Sequence, residues 1–196
     1  VIAFSDDGKL EFTISDQLVR PTGLIIIDQK LWVVDSSRHR IEVFDLQGKH
    51  VDGFGRRGTD AGEFNFPTHI AVSSKASPSL YVTDALNFRV QEVDLKGQPL
   101  CSIGSVGRVT GSFSRPKGLA ADSDQNLYVV DALFDNIQIF DKNGVFLMHW
   151  GSSGTEPGFF WLPSGIAIDS HDRIWVADAY NRRIQVFKRM VDNEAY

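Results

Sequence analysis

Histidine is the residue type best able to bind a metal or move a proton near neutral pH, and it occurs here at positions 39, 50, 69, 149 and 171. Zinc needs several ligands converging on one point, and these five follow no common spacing. Cys101 is the sole cysteine, which leaves neither an intrachain disulfide nor a Cys cluster. No Gly-x-Ser-x-Gly or His-Glu-x-x-His stretch marks a nucleophile or a zinc protease. What recurs is a carboxylate with a guanidinium: Asp84-Ala-Leu-Asn87-Phe-Arg89 and Asp178-Ala-Tyr-Asn181-Arg-Arg183, partial in Asp35-Ser-Ser-Arg38-His-Arg40 and Asp131-Ala-Leu-Phe134-Asp-Asn136. Across a tight corner such a pair can bond bidentately and pin a loop. A catalytic constellation is expected once, so the recurrence points to structure. Asp28, Asp122 and Asp169 precede short turns and read as turn caps; the ligand spacing of a calcium loop is absent.

The elements that carry these residues repeat. Leu31–Asp35 (LWVVD), Leu80–Asp84 (LYVTD), Leu127–Asp131 (LYVVD) and Ile174–Asp178 (IWVAD) place their aspartates 49, 47 and 47 residues apart. A proline precedes each, at 21, 67, 116 and 163, and IEVFD, VQEVD, IQIFD or IQVFK follows. Three Gly-spaced loops lie between repeats, ending at Phe64, Phe113 and Phe160. Each unit reads as four short strands rich in β-branched and aromatic residues, with no sustained 3.6-residue period. Four strands in about 47 residues, repeated, is the signature of a propeller blade. The fold expected is all-β: a propeller of four-stranded blades.

The pattern Pro-x-Gly-[Ile/Leu]-Ala-x-Asp, Tyr-Val-x-Asp, Asn-x-Arg-[Ile/Val]-Gln-x-Phe resembles the NHL repeat, most completely in Pro163–Asp169 and Ala177–Gln185. The resemblance covers nearly the whole chain and is greatest to bacterial six-bladed NHL proteins. It implies a toroidal propeller used mostly for binding, with a minority of enzymes. It also implies an exported (periplasmic or extracellular) bacterial setting. In amidating lyases that share the repeat, zinc-binding histidines directly follow the motif proline. Here those positions are Thr22, Thr68, Lys117 and Ser164, so no zinc or other cofactor is expected. Val1-Ile-Ala-Phe4 aligns with Ile41-Glu-Val-Phe44, making residues 1–15 a half-blade. About four and a half blades are thus expected within 1–190, as one domain of a six-bladed ring, followed by a polar tail at 191–196.

Chain direction assigns the loops to faces. The Gly loops and the Asp corners share one face, here the long-loop face; the opposite turn face holds tight turns. Ten of the twelve arginines but one of the eight lysines, Lys117, fall on the long-loop face. Arginine suits planar anions and protein interfaces, and loops on a rigid frame commonly carry binding residues. The candidate binding residues depart from the repeat there: Arg56, Arg57, His69, Phe88, Lys117, Phe134, Trp161 and Tyr180. His69 replaces the Gly of Pro-x-Gly. The function expected is a non-enzymatic protein- or peptide-binding scaffold. The alternatives are a lyase or hydrolase with a site at the central channel and, third, single-stranded RNA binding. A formal charge of −5 argues against a nucleic-acid partner, and no apolar run is long enough for a membrane helix. Self-association through open blade edges is also expected.

Overall fold

The structure is a computed structural model, and it describes residues 1–73 and 77–189. The expected tail at 191–196 lies outside the described residues. Strands β1 (Ile2–Phe4) and β2 (Leu10–Thr13) form the half-blade. Blade 1 is β3 (Pro21–Ile27), β4 (Lys30–Asp35), β5 (Arg40–Asp45) and β6 (His50–Phe54). Blade 2 is β7 (Pro67–Val72), β8 (Leu80–Asp84), β9 (Arg89–Val93) and β10 (Pro99–Ile103). Blade 3 is β11 (Pro116–Ala121), β12 (Leu127–Asp131), β13 (Asn136–Phe140) and β14 (Phe146–Trp150). Blade 4 has three strands, β15 (Gly165–Ile168), β16 (Arg173–Asp178) and β17 (Arg183–Lys188). Each blade is an antiparallel meander. The first strands β3, β7, β11 and β15 pack side by side as the innermost layer. Helix among the described residues is limited to two single 3-10 turns, Ser36–Arg38 and Ala85–Asn87.

Period-2 alternation decides the packing, because successive side chains in a strand face opposite neighbours. Trp32, Val34, Ile41 and Val43 of blade 1 meet Phe64, Ile70, Leu80 and Val82 of blade 2 in one core cluster. Leu31, Val33 and Phe44, one residue out of phase, pack instead on Val1, Phe12 and Ile14 of the half-blade. The same scheme joins blades 2 and 3 through Tyr81, Val90, Leu119 and Leu127, and blades 3 and 4 through Tyr128, Ile137, Ile174 and Val176.

Each Gly loop ends in a phenylalanine, Phe64, Phe113 or Phe160, that is completely buried. Its ring lies against a glycine of positive φ, Gly55, Gly104 or Gly151; a Cβ there would stand within 2.8 Å of the ring in every case. Only glycine allows both that backbone and that approach.

The described strands do not close on themselves: β2 and β17 belong to separate sheets. Ile184 is 60% exposed although its counterparts Ile41, Val90 and Ile137 are fully buried. Leu24, at 54%, is likewise open where Ile70 and Leu119 are covered.

Candidate functional site: the long-loop face

The frame of this face is set by four buried aspartates. Asp35, Asp84, Asp131 and Asp178 end the second strand of each blade with no exposed surface. Each accepts backbone N–H bonds from the residues just ahead of the motif proline: Val19 and Arg20, Asn65, Ser114 and Arg115, and Trp161. The sequence places Arg five residues on, and Arg89 and Arg183 each donate through Nε to their aspartate at 2.8 Å. The pairing is not the bidentate one expected. The second nitrogen reaches back to loop carbonyls, from Arg89 to Asp60 and Glu63 and from Arg183 to Glu156 and Phe159. Asn87 and Asn181 tie the same loops through Gly58 and Gly154. The corner is therefore a latch that holds the preceding loop.

Two further ties were not read from the sequence. Gln91, Gln138 and Gln185 accept from the N–H of Gly62, Gly111 and Gly158 and donate to a loop carbonyl. Gln91 and Gln138 are buried, although alternation in the third strand suggests that their side faces water. Their recurrence one place after Val or Ile was the available signal. Secondly, His39 Nδ1 accepts the Phe66 N–H, and Asp135 accepts the Leu162 N–H, each at the left-handed corner residue (φ 58° and 52°). These bonds run from one blade to the next.

Burial alone would raise the Asp178 carboxyl. Bonds from the Trp161 N–H, Asn181, Arg183 and Gln185 outweigh it and hold the group below the ordinary carboxylate value. Asp122 and Asp169 do cap their turns. Asp28 instead sits with Gln29 in a two-residue turn with both φ positive (50° and 59°), a hairpin geometry that needs no side-chain cap.

The candidate binding residues divide on this frame. Arg56 bonds Glu63 at 2.7 Å and serves its own loop. Phe88 is half-buried against the blade 2–3 core, and Phe134 is half-buried. Trp161 and Tyr180 are 48% and 60% exposed, with ring centroids 5.6 Å apart. At the corner position of Tyr180, blades 2 and 3 carry Leu86 and Leu133, both more than half exposed. Exposed Arg57, Arg20, Arg108, Arg115 and Arg182 have no carboxylate partner among the described residues. His69 and Lys117 lie on adjacent inner strands at the axial end of the face. The structure thus brings aromatic, aliphatic and unpaired guanidinium groups to one surface.

At the other end of the axis a cleft of about 500 Å³ opens on the turn face, lined by Ser73, Asp122, Ser123, Asp169 and Asp172 among others. Its carboxylates are engaged: Asp122 and Asp169 cap turns, and Asp172 accepts from Ser123. Among the described residues no group of three or more His, Cys, Asp or Glu could hold a metal. No helix among them is long and apolar enough to cross a membrane.

Comparison with known proteins agrees with this architecture. The NHL-repeat family model matches residues 160–187, and a family described as a 6-bladed β-propeller matches residues 9–103. Among solved structures, the chain is similar to virginiamycin B lyase from Staphylococcus aureus (17% identity, TM-score 0.64, 93% of this chain and 60% of that one). It is also similar to a Bacteroides thetaiotaomicron protein of unknown function (17%, TM-score 0.67, 85% and 46%). A chain of a nidogen/laminin complex matches at 20% identity with TM-score 0.60, over 86% of this chain and 65% of that one. The chain thus spans less than two thirds of each of these structures, and identities this low establish fold alone.

Proposed function

Because this chain is a β-propeller built of NHL-type repeats, we propose that it acts as a scaffold that binds a protein or peptide on its long-loop face. The observation that carries this reading is the exposed Trp161–Tyr180 pair, on the same face as the exposed corner residues Leu86 and Leu133. Trp, Tyr and Arg dominate interface energies most often, and large apolar groups left exposed on one face mark it as a candidate interaction surface. The frame beneath is latched by buried ion pairs and amide clamps, so little ordering entropy is lost on binding. Unpaired arginines on the same face complete the residue mix expected of an interface. The engagement of the turn-face carboxylates within their own turns supports the choice of face.

The test compares two folded variants in a pulldown from the native host. One changes Arg57, Trp161 and Tyr180 to Ala; the other changes Lys49, Lys96 and Lys142, on the turn face, to Ser. The reading expects a specific partner to be lost with the first and kept with the second. Loss only with the second places binding on the opposite face.

The exposed flanks also support self-association, because the face of Trp175, Ile184 and Val186 matches in kind the face of Leu24 and Ile26. Sedimentation should show concentration-dependent oligomers that Ile184→Lys reduces.

A further inference from the structure

Where the inner strands reach the long-loop face, polar groups stand without partners. Thr68 Oγ1 and His69 Nδ1 are buried and make no hydrogen bond. His69 occupies the position held by Gly23, Gly118 and Gly165 in the other blades. A Cβ at Gly23 would stand 2.9 Å from the Thr68 carbonyl, and one at Gly118 would stand 2.8 Å from Gly165 Cα. Inner-strand packing therefore excludes a side chain there in blades 1 and 3, yet blade 2 carries an imidazole. Beside it Lys117 is half-buried and has no carboxylate partner among the described residues. Its backbone is fixed: Thr83 Oγ1 donates to the Lys117 carbonyl at 2.7 Å, and the Gly118 N–H donates to Ser164 at 3.0 Å.

Burial pushes His69 down to about 4, and the Lys117 charge adds to this, so the ring is neutral at pH 7. Burial also lowers Lys117, with Arg115 contributing. Carboxylates of the same face are engaged elsewhere: Asp84 and Asp131 by loop N–H groups and Glu63 by Arg56. A cation drawn out of water with no counter-charge, beside orphaned hydrogen-bonding atoms, is unfavourable for the chain alone.

We infer that this axial mouth is a subsite for a carboxylate side chain of an acidic partner, with Lys117 supplying the charge and Arg115 an outer cation, beside the buried Thr68 Oγ1 and His69 Nδ1. The inference rests on the long-loop face being the binding face. Charge on that face agrees with it: Arg20, Arg57, Arg108, Arg115 and Arg182 are unpaired, against exposed Asp16, Asp60 and Glu156. An acidic peptide is favoured over nucleic acid because these cations are interrupted by Leu86, Leu133 and Trp161 and form no continuous track for a phosphate backbone.

The test titrates the purified chain with a tetraglutamate peptide blocked at both ends, following the His69 ring resonances by NMR. The subsite predicts a saturable shift, none with blocked tetraglutamine, about tenfold or more weaker binding in Lys117→Gln, and unchanged binding in Lys142→Gln. Without peptide, Lys117→Met should raise the melting temperature, as removal of an unneutralised half-buried charge requires. No saturation, or equal binding by Lys117→Gln, overturns the subsite. So does tighter binding of an oligouridylate with a steep salt slope. If the Arg57/Trp161/Tyr180 variant loses its partner while Lys117→Gln keeps it, the subsite fails and the face stands; if both keep it, the face itself fails.

Discussion

Asp84 and Asp178 show what one side chain does in this molecule. Each is fully buried and gathers a loop N–H, an arginine, an asparagine and a glutamine. Replacing Asp84 with Ala leaves the Asn65 N–H and the Arg89 Nε without their acceptor and takes one of two bonds from Asn87 and Gln91, and a loss of about 3–5 kcal/mol is expected in denaturant unfolding, as for other broken buried pairs. Arg57→Ala, at an exposed and unpaired position, should stay within about 0.5 kcal/mol of the parent. His69 makes a pH prediction of definite sign. Its folded value of about 4 lies below the ordinary 6.5, so the folded state resists protonation. Its contribution to stability is complete above pH 6.5 and is lost as the pH falls towards 4. Melting temperatures measured at about pH 7.5 and about pH 4.5 should fall further apart in the parent than in His69→Gln. An equal fall in both would mean that the imidazole titrates normally.

Elements differ in how firmly they are held, and the repeat shows why. The loops that end at Phe64 and Phe160 are fastened by an Asn, an Arg and a Gln. In blade 3 the Asn and Arg positions are Phe134 and Asn136, so the loop from Gly104 to Phe113 keeps the Gln138 clamp alone. That loop also exposes Val106 and Val109. Installing the latch by Phe134→Asn with Asn136→Arg should slow amide exchange across residues 105–111 and raise stability; unchanged exchange would show that the latch does not act on the loop. The all-β propeller and the latch were legible in the sequence because each is repeated, and a repeated residue names its own role. The clamp by Gln91 was not legible, because alternation describes which side of a strand a residue occupies and not what covers that side. The exposed Trp161 could not be separated from a packed one. Its counterparts Asn65 and Ser114 are not aromatic, so the repeat offered no precedent for it.

Across the described residues, blades are joined in one direction: each packs one face on the next, and blades 1 and 3 tie their corners to the following loop through His39 and Asp135. Such a frame holds its loops in place while their tips vary, and so the residues that depart from the repeat collect on one face. The turn face is self-satisfied, with Asp45, Asp94 and Asp141 each accepting two N–H bonds within their own turns. The most direct measurement of whether the long-loop face is the functional one is amide-exchange footprinting of the chain with and without its captured partner. Protection should appear in residues 55–66, 84–88, 104–115, 131–135, 151–162 and 178–182. Protection confined to the turns at 45–49, 94–98, 141–145 and 169–173 would contradict the account.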